Sequence, residues 1–169
     1  GLLCLCDQND VFFVDKGDDP QMYTPEGYEI NNVVMAKTIP TALIQCQNAQ
    51  GYHFILFNTQ AFNQQGLVTV SHTITSKISC FCSLPDNSKF AFLVNPNTIF
   101  VYSQPYQLSS QPRVFNLPQV TITNLLFTQL GGEGESILFV LSEQGVFSLY
   151  FGFDENVQQN KIDTVPVEL

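Results

Sequence analysis

Apolar and polar residues alternate with a period of two over most of this chain, the pattern of half-buried β-strands rather than of amphipathic helices. Residues 2–6 and 11–15 form the first pair of predicted strands, around Asp7-Gln8-Asn9-Asp10. The short side chains of that tetrapeptide bond their own backbone, as turn residues do. A looser stretch follows, punctuated by Gly17, Pro20, Pro25 and Gly27. Strands are then predicted at 28–36 and 41–45 with Pro40 between them, at 52–58, and more weakly at 67–71.

The second half is more regular. Residues 78–84 lead through the turn Pro85-Asp86-Asn87-Ser88 to 89–94, and Asn95-Pro96-Asn97 leads on to 98–102. After a Ser/Gln/Pro loop and a short strand at 114–117, the order recurs. It runs 121–129, the loop Gly131-Gly132-Glu133-Gly134-Glu135, 136–141, a turn, 145–151, and a closing strand at 161–167. "ISCFCSLPDNSKFAFLVNPNTIFVYS" and "TNLLFTQLGGEGESILFVLSEQGVFSLY" thus share one grammar: a strand ending in polar residues, a turn, an apolar strand, a tight turn, an aromatic-rich strand. The second unit starts about 44 residues after the first, near the ~40–45-residue period of propeller blades. Such units bury an apolar face only by stacking on one another. The predicted fold is therefore all-β, a β-propeller of WD40-like blades, with about four blades present as a partial or small ring. A β-sandwich also gives short strands with frequent turns. Its repeating element would be the single hairpin, whereas here the repeat spans three to four strands.

Composition sharpens this picture. At 169 residues, 44% hydrophobic and 12% charged, the chain is long enough for one domain with a real core. Fifteen Phe and no Trp point to a core rich in phenylalanine. The net charge of −9, with six basic residues and no two adjacent, argues against a nucleic-acid backbone reader and disfavours an anionic membrane surface. No apolar run approaches the roughly 20 residues that span a bilayer. The chain opens on Gly1 in a strand-like run without the charged start of a signal peptide, so it is expected to be a single propeller domain or segment excised from a longer protein. Five cysteines make no closed disulfide framework, and there is no Asn-x-Ser/Thr acceptor; both lean towards a reducing, cytosolic compartment.

Reactive constellations are sparse. Cys4-Leu5-Cys6 and Cys80-Phe81-Cys82 place two thiols on one face of a strand, which invites zinc. Structural zinc ligands are spaced more widely and sit on turns, and free Cys packs as a small hydrophobe, so core packing is expected. His53 and His72 have no ligand partner at metal spacing, and no Ser occupies a nucleophile elbow. "GGEGE" lacks the Lys-Ser/Thr ending of a phosphate loop, and "DKGDD" at 15–19 lacks the ligand spacing of a calcium loop; both read as solvated turns. No residue is assigned a catalytic, cofactor-binding or metal role, and no cofactor is expected.

The two repeated units also carry a resemblance. Ser79-Cys80, Asn87, Ala91, Val120-Thr121, Leu125, Phe127, Leu138-Phe139-Val140 and Tyr150 fall in the order and spacing of the N-terminal β-propeller of the vacuolar protein sorting-associated protein 11 family. "GYHFILFN" at 51–58 resembles the family's preceding strand, with Phe57 where Trp is usual, and Asn95-Pro96-Asn97 replaces a Gly-rich turn. The resemblance implies a non-catalytic scaffold of the HOPS and CORVET membrane-tethering complexes, cytoplasmic and peripheral to endosomes, vacuoles or lysosomes. Its implied partners are other tethering subunits, with no nucleic acid, membrane insertion or small-molecule substrate. In the family an α-solenoid and a RING-type zinc domain follow the propeller; these 169 residues contain neither pattern. Two other classes stand beside this expectation. One is an enzyme or carbohydrate-binding propeller, with Asp18, Asp19, Glu133 and Glu135 as the polar loop candidates. The other is a generic trafficking or ciliary interaction propeller.

Overall fold

The structure is a computed structural model that describes residues 2–70, 77–104, 112–131 and 134–152, and the backbone of a last strand. The strands form four antiparallel sheets, each a meander in chain order. The first holds β1 (Leu3–Cys6), β2 (Val11–Val14) and β3 (Gln21–Tyr23). The second holds β4 (Glu29–Met35), β5 (Thr41–Asn48), β6 (Gly51–Asn58) and β7 (Asn63–Thr69). The third holds β8 (Phe81–Ser83), β9 (Lys89–Asn95), β10 (Thr98–Ser103) and β11 (Arg113–Asn116). The fourth holds β12 (Ile122–Gln129), β13 (Ser136–Ser142), β14 (Gly145–Phe151) and β15 (Val157–Ile162). These are the blades expected from the repeat: four WD40-like blades of a partial β-propeller.

The differences from the sequence reading lie where strands are polar or edge-exposed. β3 occupies the stretch expected to be loose, because Met22 and Tyr23 pair with Phe12 and Val11. β7 starts at Asn63, upstream of the expected strand, since backbone pairing to β6 tolerates Asn, Gln and Gly at a solvated outer edge. β8 shortens to Phe81–Ser83, and β15 begins four residues before position 161. Residues 163–167 of that expected strand lie outside the described residues.

Three apolar clusters lie between successive blades. Val11 and Phe13 of the first blade meet Ala42, Ile44, Ile55 and Phe57 of the second. The rings of Phe13 and Phe57 stack there at 5.2 Å. Leu43, Phe54, Leu56 and Val68 of the second blade meet Phe90, Phe92 and Tyr102 of the third. Phe54 sits edge-on to Phe92 at 5.0 Å, and Phe90 stacks on Tyr102 at 5.2 Å. Ala91, Ile99 and Val101 of the third blade meet Leu125, Phe127, Leu138, Val140, Leu149 and Phe151 of the fourth.

Successive side chains of a strand point to opposite faces. In β5, Ala42 and Ile44 therefore face the first blade while Leu43 faces the third. In β9, Phe90 and Phe92 face the second blade while Ala91 faces the fourth. Polar contacts reinforce two of the joints. Gln45 Oε1 accepts from the Ile78 N–H at 2.8 Å and from Asn32 Nδ2 at 2.9 Å, which ties the chain entering the third blade to the second. Buried Lys89 donates to Ser103 Oγ at 3.3 Å and lies 5.9 Å from the centre of the Phe151 ring, across the third joint.

The end blades bury one face only. Leu3, Leu5 and Met22 on the free face of the first blade are 54%, 56% and 55% exposed, and Leu126 and Leu141 lie at the surface of the fourth. Among the described residues no apolar cluster joins the fourth blade to the first.

If joints between blades carry the stability, Phe92→Ala should cost about 3–5 kcal/mol, the usual loss for a large core aromatic. Met22→Ala on the free face should cost less than about 0.5 kcal/mol, as surface changes do. Urea denaturation of the two variants measures the difference; equal losses would contradict the stacking account.

Candidate interaction surfaces

Asp18 and Asp19 both line one cleft, of about 590 Å³, between the first two blades. The cleft is bounded by the β2–β3 turn, which also brings Asp15 and Pro20, by Gln21 at the start of β3, and by Thr59 and Gln60 from the β6–β7 turn. Leu2 and Phe13 supply its apolar wall. Gly17, at φ +88°, gives the β2–β3 turn its left-handed step, and Asp15 Oδ1 accepts from the Lys16 N–H at 2.8 Å. The turns of neighbouring blades come together here because adjacent meanders run in step. Thr59 and Gln60 carried no local signal, lying some forty residues from Asp18 and Asp19.

The other acidic candidates are not brought to this cleft. Glu135 lies at the β12–β13 turn of the fourth blade, where its carbonyl accepts from the Leu130 N–H at 3.0 Å. Glu133 and His72 fall outside the described residues. His53 is on β6 near the end remote from the cleft, about 20 Å from Thr59 at the rise of a strand. The cleft therefore unites carboxylates with an apolar wall, and the described residues place no histidine or cysteine beside them. Such a surface suits a cationic or polar chain, whose charge the carboxylates complement.

His53 is buried and satisfied. Its Nε2 lies 3.0 Å from Asn48 Oδ1 and its Nδ1 3.3 Å from Thr69 Oγ1, an arrangement that fits the neutral ring with the proton on Nε2. Tyr28 meets the imidazole edge-on at 5.1 Å. Burial holds its pKa below the ordinary histidine value.

All five thiols are free. Cys4 and Cys6 share a face of β1, as strand geometry requires, while Cys82 is buried in the joint between the third and fourth blades. Cys80 lies 3.7 Å from Asn124 Oδ1. Burial is the main cause raising every one of these thiols, with Cys4 pushed up to about 11 and Cys46 to about 12. Buried Cys46 and Cys82 are thereby held as poor nucleophiles, because attack needs an accessible thiolate. Among the described residues no group of three or more His, Cys, Asp or Glu side chains is placed to hold a metal ion. No described helix is long and apolar enough to cross a membrane.

With the fold in view, solved structures supply the comparison. The crystal structure of Hsv2 from Kluyveromyces marxianus superposes with a TM-score of 0.59 at 11% identity, over 96% of this chain and 57% of that one. Hsv2 of Kluyveromyces lactis gives 0.52 at 11% identity, over 95% of this chain and 61% of that one. The Cps50 (Swd1) β-propeller domain of Myceliophteria thermophila gives 0.49 at 8% identity, over 94% and 56%, too low a score to carry an argument. The chain thus spans less than two thirds of the length of these neighbours. No family model matches the sequence, and no curated protein does. At such identities the likeness shows fold: the chain is a β-propeller segment of WD40-like blades.

Two measurements follow from these side chains. A histidine whose folded pKa is lowered binds its proton less readily folded than unfolded. Stability is therefore full above the unfolded value of about 6.5 and falls as pH drops from there to the folded pKa. The ring's hydrogen-bond partners, Asn48 and Thr69, are uncharged side chains. His53→Gln should flatten the urea midpoint between pH 7.5 and 5.5, and an unchanged slope would refute the assignment. For the thiols, iodoacetamide should modify exposed Cys6 rapidly and buried Cys46 and Cys82 only on unfolding. Stoichiometric zinc in the purified protein, lost on Cys4→Ser or Cys80→Ser, would overturn the packing role.

Proposed function

We propose that this chain is a propeller segment of a longer protein and acts as a non-catalytic scaffold in an endosomal or vacuolar membrane-tethering complex of the HOPS/CORVET kind. It binds other tethering subunits from the cytoplasmic side. The observation that carries the scaffold part is the distribution of exposed chemistry. What the surface offers is apolar area on the end blades and an acidic cleft, which are features of protein recognition. The tethering part rests on the resemblance, whose residues fall at structurally demanding places. Ala91 is fully buried where β9 meets the fourth blade, and Asn87 takes the left-handed conformation of its turn, at φ +58°. Leu125, Phe127, Leu138 and Val140 form the joint between the last two blades.

A second reading is favoured by the cleft itself. Asp15, Asp18 and Asp19 around an apolar wall would suit a carbohydrate- or cation-bearing ligand, as in a binding or enzymatic propeller. An interaction propeller of another trafficking or ciliary assembly uses the same surfaces, because fold does not fix function.

Tagged full-length protein should co-purify with tethering subunits. Asp18→Ala with Asp19→Ala should leave that association intact if the cleft serves another ligand. Failure to recover any tethering subunit, together with a hit for this protein in a glycan array or hydrolase screen, would move the reading to the second class.

A further inference from the structure

We draw no further inference here: the strongest candidate, the cleft between the first two blades with Asp15, Asp18 and Asp19 along it, belongs to the site already described, and neither Tyr102 nor Ser136, the buried hydroxyls left without a hydrogen-bond partner among the described residues, lines it to single out a ligand.

Discussion

Everything in this structure depends on one limitation of a small antiparallel sheet: it has two faces, and by itself it can shield neither from water. Each blade becomes stable only when a neighbour covers it. The joints therefore carry the energetics, and the rings of Phe54, Phe90, Phe92 and Tyr102 are their densest part. Aromatic pairs packed edge-on or offset contribute beyond their buried area. Fifteen phenylalanines in a chain without tryptophan give many such pairs while leaving few buried polar atoms to satisfy.

That constraint explains the grading of hydrophobicity along the chain. β5 and β6 in the second blade are buried on both faces, and Ala91 lets β9 approach the fourth blade closely while Phe90 and Phe92 fill the other side. The outer blades obey the same rule with one face only, and their free faces retain Leu3, Leu5, Met22, Leu126 and Leu141 at the surface. Polar side chains at the joints act as spacers and ties: Gln45 fixes the entry to the third blade, and Lys89 lies over Phe151.

The same architecture decides where function resides. Blade turns project at the two ends of the stack, so carboxylates distant in sequence, such as those of the β2–β3 turn, meet the β6–β7 turn of the next blade in one cleft. Four of the thiols and His53 lie on strands and Cys80 directly before β8; burial raises the thiols and lowers the histidine, which favours the neutral form of each. The cleft carboxylates thus sit on turns and the buried side chains on strands, with Phe13 shared by the cleft wall and the first joint.

Apolar patterning and turn residues determined β9 to β14 to within about a residue, because those strands are apolar and most of their turns are short and rich in Asn, Asp and Gly; β8 and β15 departed from the expected bounds. The repeat of three-to-four-strand units determined the propeller, since only stacked units make such a sequence stable. Polar strands escaped that reading: β3 and the start of β7 are held by backbone pairing to β2 and β6, and backbone pairing leaves no periodic trace in side chains. The cleft escaped as well, because Asp18 and Thr59 are brought together by the stacking of two blades rather than by local sequence. The position of β1 within its blade lies furthest from the sequence. Leu3 to Cys6 reads as a strand under any pairing, and only the hydrogen bond from Ile30 to the turn at Gln8, matched by that from Ile122 to Pro96, decides which strand of a blade it is.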